Sequence, residues 1–119
     1  MGSLKSGLAK VVITPPVGVQ LSGYAARTQP STGILDDLYA KALVLDDGEE
    51  RLALVICDLI GLDRDTVHDA RRRIMKLTDI KEANVMISST HTHTGPDLRF
   101  TGEAYIENLK SQIAGAVYV

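Results

Sequence analysis

Two of the three histidines in this chain, His91 and His93, stand one residue apart in the segment 89–96, which reads STHTHTGP. Imidazole titrates near neutral pH and is the commonest metal ligand in proteins. A His-x-His pair at a strand end can supply two zinc ligands, or one ring can bind metal while the other handles protons. The same alternation is also typical of a half-exposed strand that binds nothing.

The residues that precede the pair predict a buried strand over 84–90. In a strand, residues i and i+2 share a face and lie about 7 Å apart, so His91 and His93 are expected to point the same way. Gly95 and Pro96 then end the strand and leave the pair at the rim of a sheet.

Asp58 follows the apolar run 52–57 and is expected at the end of a neighbouring strand. Its carboxylate is a candidate hydrogen-bond acceptor for a ligand imidazole. Carboxylates are also common in loops that follow strands, so an ordinary loop role stays open for Asp58. The third histidine, His68, falls among charged residues on a predicted helix and is expected to be solvated.

The elements around these residues predict an α/β fold: a mixed sheet with a β-hairpin and a βαβ crossover, expected to be a fragment of a larger catalytic domain. The crossover lays the strand before His91 parallel to the strand before Asp58, which brings both residues to one sheet edge. The basic side chains on the crossover helix are expected to face solvent. The predicted strands cover 8–13, 38–45, 51–57 and 84–90, and the predicted helices cover 63–77 and 102–117.

A long segment, 17–37, is rich in Gly, Ser, Thr and Pro and predicts a loop. Long loops in compact domains usually serve a function, so Gly23 and Tyr24 are expected to approach the site.

Composition excludes several classes of function. A net charge of −2 leaves no basic surface for nucleic acid, and one Phe, four Tyr and no Trp leave few platforms for stacking bases. The single cysteine, Cys57, lies in an apolar run and is expected to pack in the core. No signal peptide is visible, and no apolar run approaches the ~20 residues that span a bilayer, so the chain as given is expected to be cytoplasmic.

Three stretches of the chain resemble one family. The segment 84–96 is similar to the strand and THTHSGP-type motif of the neutral, non-lysosomal ceramidase family of zinc amidases. The segment 7–16, GLAKVVITPP, resembles that family's opening strand. SGYA at 22–25, followed by Gly33-Ile34 and the strand 38–45, resembles its GYA loop and next strand. The resemblance spans nearly the whole chain.

The resemblance implies roles for both histidines. It makes His91 a ligand of a catalytic zinc, and His93 a catalytic residue beside the metal that binds and polarises the substrate carbonyl. It implies hydrolysis of an amide bond in a lipid or small molecule by metal-activated water. At 97–100 this chain has DLRF, where the family usually has small glycines. The candidates for the loops of the pocket are Gly23, Tyr24, Gly95, Asp97 and Arg99.

The family's other zinc ligands, a second His, a Glu and a Tyr, lie far downstream and match nothing in these 119 residues. The sequence also ends on apolar residues, 115–119, without a polar tail. We therefore expect the N-terminal part of a longer chain, with the remainder as its partner and little activity by itself. Two alternatives stay open: a non-catalytic α/β module for binding or assembly, and a zinc site completed between subunits.

Overall fold

The chain folds into one sheet with two helices on one side, and the computed structural model describes residues 3–118. A short 3-10 helix, Glu82–Asn84, precedes the last strand. In chain order the elements of this described part are β1 (Lys5–Val12), β2 (Tyr39–Asp46), β3 (Arg51–Cys57), α1 (Arg64–Thr78), β4 (Val85–Ser89) and α2 (Glu103–Val117).

The strands stand in the order β1-β2-β3-β4. β1, β2 and β3 pair antiparallel, whereas β3 and β4 run parallel with Cys57 beside Ser89. The predicted mixed sheet, hairpin and βαβ crossover are therefore confirmed. Both parallel strands end at the same edge, which places Asp58 next to the start of the histidine-containing segment.

The hairpin turn between β2 and β3 is organised by Asp47. Its carboxylate accepts hydrogen bonds from the main-chain N–H groups of Glu50 at 2.7 Å and Glu49 at 2.9 Å. These bonds hold the pKa of Asp47 below its ordinary value. Gly48 completes the turn with φ of +95°, a conformation that L side chains rarely adopt.

The helices cover only one face of the sheet. Along β3, residues 53, 55 and 57 are buried beneath the helices, while residues 52, 54 and 56 stay on the uncovered face. Cys57 lies in the core as predicted, and burial raises the pKa of its thiol to about 12. No helix in the described range is both long enough and apolar enough to cross a membrane.

The two helices are joined by charged side chains. Lys110 on α2 is buried and donates to Asp69 on α1 at 2.9 Å and to Glu107 at 3.1 Å. Arg73 on α1 binds Glu107 and the hydroxyl of Ser111.

The expectation of a wholly solvated basic run is wrong at two positions. Arg71 donates from Nε to the carbonyl of Val85 at 3.1 Å, and Arg73 reaches across to α2. Long basic side chains can lay their apolar stems along a neighbouring element while the charged head finds an acceptor there.

Candidate functional site

The two histidines lie in the short irregular segment that follows β4, residues 90–94, which we call the histidine turn. The expectation that the preceding strand reaches residue 90 is wrong, because β4 ends at Ser89. His91 has φ of +64° and Thr94 has φ of +67°, and this left-handed backbone cannot continue a strand. The two imidazoles nevertheless lie next to each other and meet edge-on, with ring centroids 4.9 Å apart and planes at 72°.

Main-chain hydrogen bonds fasten the histidine turn to the last residue of β3 and to the residues that follow it. The N–H of Thr90 donates to the carbonyl of Cys57 at 3.0 Å, and the N–H of Thr92 donates to Leu59 at 3.1 Å. Nδ1 of His91 lies 3.0 Å from the carbonyl oxygen of Ile60. Because a carbonyl oxygen only accepts, this contact requires a proton on Nδ1 and leaves Nε2 of neutral His91 with a free lone pair.

Asp58 lies at the predicted edge, between β2 and the histidine turn. One carboxylate oxygen accepts from the N–H of Tyr39 at 3.0 Å, and the other accepts from the hydroxyl of Thr90 at 3.3 Å. The hydroxyls of Thr90 and Thr92 lie 2.6 Å apart. The acceptor that faces His91 is thus the Ile60 carbonyl, while Asp58 binds the turn itself.

The long loop comes back to this site through a short antiparallel bridge between Leu21 and Pro96. The N–H of Ser22 donates to the carbonyl of Gly95 at 2.9 Å, and the N–H of Thr94 donates to the carbonyl of Ser22 at 2.8 Å. The side chain of Ser22 is buried and also donates to Gly95, at 3.2 Å. Gly95 is itself buried, and its carbonyl accepts both of these bonds from Ser22.

That bridge brings Gly23 and Tyr24 against His93, which is where the loop was expected to lie. The ring of Tyr24 meets the imidazole of His93 edge-on, with centroids 5.2 Å apart. Gly23 has φ of +105°, and a Cβ atom placed on it would lie 2.6 Å from Cγ of His93. The close approach of this loop to His93 therefore depends on a residue without a side chain.

Beyond the turn, Asp97 and Arg99 form a local ion pair. Nε and Nη2 of Arg99 donate to the two carboxylate oxygens of Asp97 at 3.0 and 2.8 Å. These hydrogen bonds lower the pKa of Asp97, whose side chain is only 13% exposed, whereas that of Arg99 is 79% exposed. The guanidinium is thus held in a defined position on the surface, next to an exposed Phe100.

The donors in the histidine turn fit part of a zinc site. Both imidazoles belong to exposed residues, and Nε2 of His91 is free to bind a metal. Within residues 3–118 there is no group of three His, Cys, Asp or Glu side chains that could hold a metal ion. A catalytic zinc normally has three protein ligands, so this turn offers at most two of them.

Sequence reasoning missed the residues that hold the histidines. Thr90 and Thr92 suggested strand formation, but their hydroxyls bind each other and Asp58. The sequence feature that could have indicated this arrangement was the hydroxyl residue on each side of His91. Ile60 contributes a main-chain carbonyl, which has no signature in sequence, and Ser22 resembles any loop serine until its partner 73 residues away is known.

The comparisons with known proteins agree on one family. A family model described as neutral/alkaline non-lysosomal ceramidase, N-terminal, matches residues 5–114. The neutral ceramidase of Drosophila pseudoobscura pseudoobscura is 37% identical over 100 residues, which cover 77% of this chain and 14% of that protein. The neutral ceramidase of Pseudomonas aeruginosa is 35% identical over 96 residues, covering 76% and 14%. The chain therefore spans a small part of the length of these relatives.

Two solved structures share the fold. The crystal structure of neutral ceramidase from Pseudomonas aeruginosa matches with a TM-score of 0.85 and 24% identity, over 98% of this chain and 21% of that chain. A ceramidase complexed with C2 matches with a TM-score of 0.78 and 24% identity, over 99% and 20%. The arrangement of four strands and two helices in residues 3–118 thus recurs inside much larger chains.

Proposed function

This chain belongs to the neutral/alkaline non-lysosomal ceramidase family, and from that premise we propose that it contributes the N-terminal part of a zinc-dependent amide hydrolase. The observation that carries the proposal is the hydrogen bond from Nδ1 of His91 to Ile60. Metal-binding histidines almost always donate their second ring N–H to such an acceptor, which fixes the tautomer and the orientation of the ring.

The proposed roles of His91 and His93 follow from the contacts that each ring makes. His91 would hold the metal through Nε2, since its Nδ1 is committed to Ile60. A zinc ion there would act as a Lewis acid towards the amide carbonyl and lower the pKa of water. His93, whose ring lies between Tyr24 and His91, would donate a hydrogen bond to the carbonyl oxygen as negative charge develops on it.

The proposed substrate is the amide bond of an N-acyl lipid or a related small molecule. The relatives are named as neutral ceramidases, and one related structure is of a ceramidase complexed with C2. Arg99 and Phe100 stand exposed just beyond the histidine turn, where they would meet the part of the substrate that lies outside the catalytic centre. Gly23 and Tyr24 would border the reacting group from the opposite loop.

We propose that the missing ligands come from sequence outside these 119 residues. The supporting facts are that the chain covers 14% of its relatives and that residues 3–118 hold no three-ligand cluster. The 119-residue chain alone is then expected to have little or no hydrolytic activity. Hydrolysis of a short-chain N-acyl lipid by this chain, at a rate lost in His91→Ala, would contradict that expectation.

Zinc calorimetry on the metal-free chain tests the role of His91. We expect weak binding, because one or two imidazoles hold zinc less firmly than a full ligand set. His91→Ala should abolish it, whereas His68→Ala should leave it unchanged, because His68 is an exposed residue on α1. Equal binding by the wild type and His91→Ala would refute the assignment, and absence of zinc binding in a folded wild type would contradict the expected binding by the histidine turn alone.

A further inference from the structure

The hydroxyls on both sides of His91 form a hydrogen-bonded chain that ends on Asp58. Thr92 and Thr90 contact each other at 2.6 Å, and Thr90 contacts the carboxylate at 3.3 Å. The other carboxylate oxygen accepts the N–H of Tyr39 at the start of β2. Asp58 therefore connects the histidine turn to the second strand of the sheet.

The direction of this chain follows from what each group can donate. An ionised carboxylate only accepts, so Thr90 must give its single hydroxyl proton to Asp58. The proton shared between the two threonines must then come from Thr92. Thr92 thus donates to Thr90, and Thr90 donates to Asp58.

The backbone of His91 needs such support. Its φ of +64° is unfavourable for a residue with a side chain, and it persists only when the surroundings impose it. The residues before and after His91 are Thr90, which Asp58 binds directly, and Thr92, which reaches Asp58 through Thr90. The left-handed turn in its present position brings Nδ1 of the ring to the Ile60 carbonyl.

We propose that Asp58 is a positioning residue that acts on His91 through Thr90 and Thr92, and that this hydroxyl chain keeps Nε2 of His91 as the open ring nitrogen. The proposal deepens the proposed function, since an open Nε2 matters most if His91 binds a metal. In this proposal Asp58 does not contact the imidazole directly, because the acceptor for Nδ1 is the carbonyl oxygen of Ile60.

The test is the tautomer of His91 in the metal-free chain, measured by ¹⁵N NMR of the imidazole nitrogens at about pH 9, where imidazole is generally neutral. We expect the wild type to carry its proton on Nδ1. Thr90→Val removes the hydroxyl at nearly constant shape and should shift the population towards the tautomer protonated on Nε2. Thr90→Ser, which restores the hydroxyl, should return the wild-type spectrum.

Two further variants keep the test decisive if Thr90→Val does not fold. Asp58→Ala removes the carboxylate that accepts from Thr90 and leaves no group that could donate in its place, so the same shift is expected. Thr94→Val is the matched control, because Thr94 lies in the same turn but its hydroxyl takes no part in this chain. It should keep the wild-type tautomer.

The proposal is overturned if Thr90→Val or Asp58→Ala folds and keeps the wild-type tautomer, or if the wild type itself is protonated on Nε2. A purely structural role would lower the urea midpoint of these variants without moving the tautomer. Because the spectra are recorded without metal, they report on positioning even if calorimetry detects no zinc binding. Failure of the proposed function is therefore distinguishable from failure of this inference.

Discussion

The two imidazoles of the site are held by different kinds of neighbour. His91 is oriented by a main-chain carbonyl, that of Ile60, at 3.0 Å from Nδ1. His93 is held by contact: Tyr24 meets it edge-on, and the backbone of Gly23 lies against its ring. The position of the His93 ring therefore depends on the absence of a side chain at residue 23, and substitution of that glycine tests this dependence.

Gly23→Ala should be more destabilising than Gly48→Ala. Both glycines have φ near +100°, so alanine strains the backbone at each, by about 1–2 kcal/mol. At Gly23 the new Cβ would also lie 2.6 Å from Cγ of His93, whereas at Gly48 it meets open space. We expect an extra loss of roughly 1 kcal/mol or more in urea-derived unfolding free energy at Gly23. Equal losses of unfolding free energy in the two variants would show that the His93 ring moves aside for the alanine methyl group without cost.

Among the elements, the parallel pair β3 and β4 decides where the site forms. The two strands end beside each other, with Cys57 next to Ser89, so the residues that follow them meet at one edge. The crossover helix α1 that makes this pairing possible is tied to α2 by the buried Lys110, which binds Asp69 and Glu107. These bonds stabilise the helix layer that backs the sheet.

Lys110→Met should lower the urea midpoint near pH 7, and the difference from wild type should shrink in acid. The hydrogen bond from Lys110 lowers the pKa of Asp69, and those from Arg73 and Lys110 lower that of Glu107. Carboxylates with lowered pKa stabilise the fold above their ordinary values, 3.8 and 4.5, and this contribution is lost as pH falls through the lowered values.

The measurement for Lys110→Met is the urea midpoint as a function of pH. We expect a constant difference between about pH 5 and 7, then convergence below about pH 4. Lys76→Met, at an exposed lysine on α1, is the matched control and should differ little from wild type at any pH. A Lys110→Met difference that persists undiminished into strong acid would show that apolar packing, not charge, determines it.

For the molecule as a whole, the sheet buries one face and leaves the other open. The buried face packs against both helices and forms a single core that includes Ile74 and Leu109. The open face carries Leu8, Ile56 and Met86, all exposed in the described chain. Similar apolar residues therefore contribute unequally to stability according to which face they occupy.

Isoleucine-to-alanine substitutions on the two sides measure that inequality. Ile74 is fully buried on α1, and Ile74→Ala should cost about 2–5 kcal/mol of unfolding free energy. Ile56 is 47% exposed on the open face, and Ile56→Ala should cost roughly 1 kcal/mol, because less apolar area leaves water there on folding. Equal costs in urea denaturation would mean that the open face is covered in solution, for example by self-association.

Local hydrophobic patterns and capping residues are enough to predict much of the secondary structure of this protein. The apolar run 52–57 locates β3, whose bounds are the predicted 51–57, and Asp63, at the predicted start of the first helix, is the residue that caps α1. The fragment STHTHTGP identifies the histidine pair and, with two weaker stretches, the family. These features are readable because each depends on residues close together in the chain.

Only the tertiary structure decides how the histidines are held. The extended geometry expected for them is replaced by a left-handed backbone at His91. There the N–H groups of Thr90 and Thr92 bind main-chain carbonyls at and after the end of β3, and Nδ1 of His91 meets the carbonyl of Ile60. Ile60 is 31 residues from His91, Asp58 is 32 residues from Thr90, and Ser22 meets Gly95 across 73 residues. Pairings at such separations depend on packing of the whole sheet, and a main-chain carbonyl leaves no trace in the sequence.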